Sequence, residues 1–302
     1  MWRARNAWLF VLLSVLWGSA FTAIKAGLEA FPPVLFAALR YDLAGVLVLA
    51  YAVYATERWR PRERGEWALV AIGSVLMIAA YHTFLFVGEQ NTTSAAAAII
   101  VSLSPVLTTG FARAFLPEER LTTVGLVGLL VGFVGVVVLA DPDPARLLDT
   151  ATVSKGLVFL AAASFALGSV LTRRVEASLP IETMEAWSML GGAVLMHGIS
   201  LGLGESVASI TWSTTAVVSL GYLVLGASAL GFLLYFHLLE VLGPIEINLV
   251  SYAAPVVAAG TGILVLGETP TLRTAAGFAC ILLGFVLLKR AAIREVLVGA
   301  SR

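Results

Sequence analysis

The chain has 302 residues and no net charge, with 59% hydrophobic and 13% charged residues, about half the charged share of a typical soluble domain. That balance excludes an ordinary soluble globule and leaves no electrostatic reason to expect a nucleic-acid partner. The single cysteine, Cys280, excludes an internal disulfide and a multi-cysteine metal centre.

Ten apolar runs follow one another, at 6–29, 33–55, 66–88, 92–115, 121–140, 155–176, 181–203, 214–238, 244–267 and 271–290. Each is close to the ~20 residues a helix needs to cross the hydrocarbon core. They are continuous rather than alternating and too long for barrel strands. The expected fold class is therefore an all-α integral membrane protein with ten transmembrane helices. Arg3 and Arg5 before the first run imitate a signal peptide, but the run extends to Ile24 and its pattern recurs in the sixth, so it is read as a span.

In the first run Ser14, Gly18, Thr22, Lys25 and Glu29 fall on one helix face. That stripe is expected to avoid lipid, either through small-residue packing or, at Lys25, through gate or substrate contact. An ammonium at helix centre costs about 2.5–3.5 kcal/mol on insertion scales. Trp17 stands deep in the same run, as a cavity wall or as interhelical packing. In the second run Arg40 and Asp42 are two apart and do not share a face. Each is expected to pair with another helix. Arg40 either clamps a carboxylate through its bidentate fork or closes a gate against Glu29, Glu89 or Asp42.

The third run carries Tyr81 and His82 with apolar neighbours. The imidazole offers a donor and an acceptor, for a structural bond or for cargo. Pro105 and Pro255 stand deep in the fourth and ninth runs, each predicting a kink because the carbonyl four residues earlier loses its donor. They are candidate hinges. Asn248, Ser251 and Tyr252 share the Pro255 side of the ninth run, whereas the matching stretch of the fourth is Ala98, Val101 and Ser102. Polarity thus gathers in the later run, which marks it for substrate. His197 and His237 lie nearer helix ends and are expected to be interfacial, and Glu118 and Glu268 are expected to cap or gate helix ends on opposite sides.

With the N-terminus inside, fourteen Lys and Arg fall on the cytoplasmic side and five on the other. The positive-inside rule then places both termini in the cytoplasm of a multi-pass protein of the cell membrane. Arg58, Arg60, Arg62 and Arg64 serve that orientation and meet anionic headgroups.

The chain also repeats itself at an offset of about 150 residues. Ser14, Gly18, Ser19 and Thr22 match Ser164, Gly168, Ser169 and Thr172, and Pro105, Gly110, Leu116 and Glu118 match Pro255, Gly260, Leu266 and Glu268. The domains are 1–142 and 143–302. Five spans per copy is an odd number, so the copies enter the membrane from opposite faces. Inverted repeats of this kind build carriers in which a central site opens alternately to each side.

Several local patterns resemble the EamA-type ten-helix branch of the drug/metabolite transporter superfamily. They are Trp17-Gly18-Ser19-Ala20-Phe21, Leu39-Arg40-Tyr41, Ser94 to Pro105 leading to Phe115-Leu116-Pro117-Glu118, Gly243 to Pro255 leading to Leu266-Gly267-Glu268, and Gly277 with Leu282-Leu283-Gly284. The Tyr81-His82 pair is similar to that of the aromatic amino acid exporter branch. This resemblance implies two EamA domains and a secondary transporter exporting amino acids or related compounds through a cavity lined by Trp17, Tyr81, His82, Asn248, Ser251 and Tyr252. Lys25, Arg40 and Asp42 would gate it. The proton-binding first-helix Glu of the small multidrug-resistance branch has no counterpart, since Glu29 lies at the helix end.

Two other readings compete. A nucleotide-sugar or organic-phosphate exchanger needs clustered cations in the cavity, for which only Lys25 and Arg40 qualify. A membrane-embedded lipid-modifying enzyme needs acids, histidines or metal ligands at one depth, and the three histidines lie in three different runs. No Gly-rich loop ending in Lys-Ser or Lys-Thr offers an ATP site. The expectation is a monomeric carrier of a small-molecule substrate in contact with membrane lipid, with no catalytic residues, cofactor or metal.

Overall fold

Long apolar runs inside a bilayer must satisfy their backbone within the segment, and helices do so. The computed structural model describes residues 2–116, 123–141, 148–242, 247 and 249–299, with side chains left out at 2–4, 288, 289 and 291–299. Asn248, Glu118, Pro117 and the turns at 142–144 and 243–244 lie outside the described residues. The helices are α1 Trp2–Gly27, α2 Pro33–Ala55, α3 Arg64–Glu89, α4 Ser94–Phe115, α5 Thr123–Ala140, α6 Thr150–Thr172, α7 Ile181–Gly202, α8 Thr214–Leu242, α9 Val250–Leu266 and α10 Leu272–Gly299. No strand occurs among the described residues. Seven of the helices, α1 to α6 and α8, are long and apolar enough to cross a membrane, and Val250–Leu266 and Leu272–Leu287 are shorter apolar helices.

Helix starts follow local chemistry. Pro33 opens α2, where its missing N–H costs nothing, and the next two amides, Val34 and Leu35, donate to the Glu205 carboxylate at 3.1 and 2.7 Å. Glu63 and Glu66 form a capping box at α3. Asp149 accepts from the Thr152 amide at α6, and Ser213 from the Ala216 amide at α8. Gly267, with φ of 65°, ends α9 in the left-handed region.

The two halves interleave. The first helix of each half packs on the third and fourth helices of the other, α1 on α8 and α9, α6 on α3 and α4, while α2 pairs with α7 and α5 with α10. Close approach requires small residues at these crossings. A Cβ added at Gly18 would lie 2.6 Å from the Ala254 carbonyl oxygen, and one at its repeat partner Gly168 would lie 2.6 Å from Cγ of Met77. Side chains repeat the pattern: the Trp17 indole donates to the Ala227 carbonyl at 3.1 Å, and the Ser164 hydroxyl to the Leu76 carbonyl at 2.8 Å. Both acceptors lie in π-helical stretches, Gly73–Ala80 within α3 and Tyr222–Leu230 within α8. The extra residue per turn recurs at the repeat offset, a symmetry that the hydrophobic pattern does not reveal.

The two proline-bearing helices, both expected to kink, differ. α4 is interrupted by a turn at Ser102 and Leu103, and Pro105 falls in the first turn of the resumed helix. In α9 the helix continues through Pro255 without interruption.

Candidate functional site

Arg40 lies seven residues from the start of α2 and His82 seven from the end of α3, so each is about 10 Å along its helix from the same side. At that shared depth the two helices meet. The Tyr41 hydroxyl bonds Nε2 of His82 at 2.6 Å, and Nδ1 of His82 lies 2.9 Å from the Ile78 carbonyl. A carbonyl only accepts, so Nδ1 donates, and in the neutral ring Nε2 accepts from Tyr41. Tyr81 presents its ring at 4.5 Å from His82 in an edge arrangement and reaches Phe165 of α6 at 5.5 Å. His82 is buried and Tyr81 half-buried. Arg40, also buried, donates from Nε to the Ser228 hydroxyl of α8 at 3.1 Å and lies 4.9 Å over the Tyr41 ring.

Trp17 extends this group towards α8. Its ring meets Phe232 at 5.9 Å and Tyr235 at 5.3 Å, and it bonds the residue before Ser228. Above it along α1, Ser19 bonds Tyr222 at 2.5 Å and Thr22 bonds Thr261 of α9 at 2.6 Å. Tyr81, His82, Arg40 and Trp17 are thus joined through α2, α3 and α8. The remaining cavity candidates stand apart from this group. Tyr252 is buried with its ring 4.2 Å from Phe285 of α10, and its hydroxyl has no partner among the described residues. Ser251 is half-buried beside it, and Asn248 lies outside the described residues.

The charged candidates find separate partners. Lys25 donates to the Glu89 and Gln90 carbonyls at 2.9 and 2.8 Å, closing the end of α3 as a cation at a helix C-terminus does. The Glu89 carboxyl is fully buried with neither oxygen bonded among the described residues. Asp42 accepts from Nε2 of His197 on α7 at 2.7 Å, with the two side chains 40% and 37% exposed on the outer edge of that helix pair. Arg40 and Asp42 therefore pair with other helices and not with each other. Glu268 accepts from the Ser94 amide and hydroxyl at 2.8 and 2.7 Å and caps α4.

Sequence reasoning assigned no role of their own to Tyr41, Ser228 and Tyr235. Tyr41 and Ser228 carried no signal beyond their neighbours, because the pairing depends on which helices pack together.

Comparison with known proteins follows the same lines. The sequence profile of the EamA-like transporter family matches residues 5–140 and again 155–290. The chain is 27% identical over 285 residues to an uncharacterized transporter of Archaeoglobus fulgidus, covering 94% of this chain and 98% of that one. It is 30% identical over 260 residues to the uncharacterized inner membrane transporter YedA of Escherichia coli strain K12, covering 85% and 81%. A solved crystal structure, 23% identical, superposes with a TM-score of 0.65 over 96% of this chain and 98% of that one, which supports the fold.

Proposed function

Because the chain belongs to the EamA-like transporter family, a family of transporters rather than enzymes, we propose that it is a secondary carrier working by alternating access between its two halves. The carrying observation is the exchange of helices between halves, with α1 on α8 and α9 and α6 on α3 and α4. Two inverted copies that hold different conformations can trade them, closing one side of a shared site as the other opens. The broken α4 and the continuous α9 supply such a difference. The domains 1–142 and 143–302 are the two copies that trade conformations, with Pro105 and Pro255 as paired hinges.

The cargo is an amino acid or related metabolite, moved outward. Tyr81 and His82 with Trp17 form one wall of the passage, and Asn248, Ser251 and Tyr252 the other. Lys25, Arg40 and Asp42 hold the side opposite the termini closed through their partners on other helices. Lys25 and Arg40 are both engaged within the chain, which argues against an organic-phosphate exchanger. The arginine excess beside the N-terminus and the inner-membrane naming of the E. coli relative support a cell-membrane location with cytoplasmic termini.

Purified protein in liposomes loaded with amino acids, amines and sugar phosphates tests this. At least one amino acid should leave faster than from protein-free liposomes. Background flux for every cargo would overturn the carrier reading.

A further inference from the structure

The α2–α3 and α7–α8 connections are repeat counterparts, and each is fastened to a helix of the other copy. In the second, Glu205 caps the start of α2, and the Thr211 amide donates to the Ala30 carbonyl at 3.0 Å. In the first, Thr183 and Trp187, one turn apart on α7, donate to the successive carbonyls of Arg58 and Trp59, both at 2.9 Å. Their charges differ. Residues 203–213 carry no Lys or Arg, whereas residues 56–63 carry Arg58, Arg60 and Arg62.

These three arginines are not equivalent. Arg58 pairs with Glu66, a buried acid that also accepts from the Arg62 and Glu63 amides at 2.6 and 3.3 Å and so fixes the loop. The guanidinium groups of Arg60 and Arg62 have no carboxylate partner among the described residues. Both side chains are exposed, and that of Arg60 lies 5.6 Å over the Trp59 ring. Beside them opens a cleft of about 500 Å³ lined by Trp59, Arg60, Pro61, Arg62, Trp67 and Trp187. Trp67 and Trp187 meet edge to face at 5.6 Å. They stand three and six residues beyond the first residues of α3 and α7, about 4.5 and 9 Å along those helices. The cleft therefore has cations on its loop side and indole rings on the side of the membrane core.

Unpaired guanidinium groups suit a phosphate, which accepts paired N–H bonds from each fork. Indole rings one to two turns inside a helix end lie where tryptophan collects in a bilayer, at the level of the headgroups. A soluble phosphate would use the arginines and leave the indole wall idle, whereas a phospholipid uses both.

We propose that this cleft is a binding site for an anionic phospholipid. Arg60 and Arg62 hold its phosphate, and its glycerol and first methylenes lie on Trp67 and Trp187. Trp187 belongs to the second copy and the other lining residues to the first, so the bound lipid bridges the copies at one face of the membrane. The α7–α8 connection has no cation to offer a lipid at the other face. The proposal does not depend on the carrier reading.

The test uses the purified full chain in detergent, titrated with phosphatidylglycerol, phosphatidylcholine of the same acyl chains, or soluble glycerol phosphate, with bound molecules counted by native mass spectrometry. Phosphatidylglycerol should bind at least tenfold more tightly than phosphatidylcholine, and glycerol phosphate should not displace it. The double variant Arg60→Gln, Arg62→Gln should lose that preference. Trp67→Leu, which keeps every charge, should weaken phosphatidylglycerol about threefold. Arg64→Gln, outside the cleft, should leave it unchanged, whereas a diffuse basic surface would lose as much there as at Arg62→Gln. Equal binding of the two lipids, an unaltered preference in the double variant, an equal loss in Arg64→Gln, or displacement by glycerol phosphate would each overturn the proposal.

Discussion

α4 and α9 carry proline at equivalent places, yet one helix breaks and the other does not. In α4 the carbonyl that Pro105 deprives of a donor, that of Val101, accepts from the Ser104 hydroxyl at 2.7 Å, and the Ile99 carbonyl accepts from Ser102 at 2.6 Å. Both orphaned groups are satisfied locally, so the helix can part at Ser102 and Leu103 without leaving bare carbonyls in a membrane interior. The matching residues of α9 are Tyr252 and Ala254, neither of which can return a hydroxyl to the carbonyl three residues earlier. Proline sets the weak point, and the neighbouring hydroxyls decide whether it opens.

The largest expected effect comes from closing that weak point in each copy. Pro105→Ala restores a donor at the break and Pro255→Ala restores one in the continuous helix. If the copies trade conformations during transport, both variants should lose flux by about tenfold or more, because each copy must pass through both forms, and 1.4 kcal/mol of bias towards one form is a factor of about ten. A Pro255→Ala protein with unaltered liposome flux would make the difference between α4 and α9 static, and would remove the exchange.

Next in size are the cavity candidates, which the comparison divides between the copies. Tyr81→Ala and His82→Ala remove the aromatic edge and the Tyr41 bond from the first copy, and Asn248→Ala tests the second. Each should lower flux several-fold to tenfold with unchanged yield. Normal transport in all three would dismantle the proposed passage.

Stability tests the hydroxyl explanation directly. Ser104→Ala leaves the Val101 carbonyl without its bond, and an unsatisfied buried acceptor costs about 1–3 kcal/mol. Thermal unfolding in detergent should therefore shift down for Ser104→Ala and much less for Ala254→Ser, whose continuous helix has no break to support. Equal stability of Ser104→Ala and the parent would show that the break does not depend on this bond.

Much of this fold was readable from the sequence, because run length and a repeat at an offset of about 150 each constrain the order of helices on their own. Arg40 and Asp42 were readable as residues that need partners elsewhere, since an ion in an apolar run must find one, but Ser228 and His197 as those partners were not. Partner identity follows from helix packing, and packing depends on glycines such as Gly18 and Gly168 whose role emerges only when another helix lies against them. The π-helical turns in α3 and α8 were hidden for a different reason. A π stretch shifts the face of a helix by the equivalent of one residue, which a mostly apolar run conceals.

The smallest effect probes whether the symmetry reaches the helix caps. Glu268 holds the Ser94 amide and hydroxyl at the start of α4, and a carboxylate at a helix N-terminus contributes about 0.3–1 kcal/mol. Glu268→Gln keeps the shape and removes the charge, so its unfolding temperature should fall by an amount matching that range. Glu118 is its repeat partner. If the inverted copies use the same cap at opposite faces, Glu118→Gln should produce a similar fall, and the double variant should sum the two because distant sites add. A fall with Glu268→Gln alone would confine the cap to one copy, which would place the caps with Trp17 and Tyr252 among the features in which the copies have diverged.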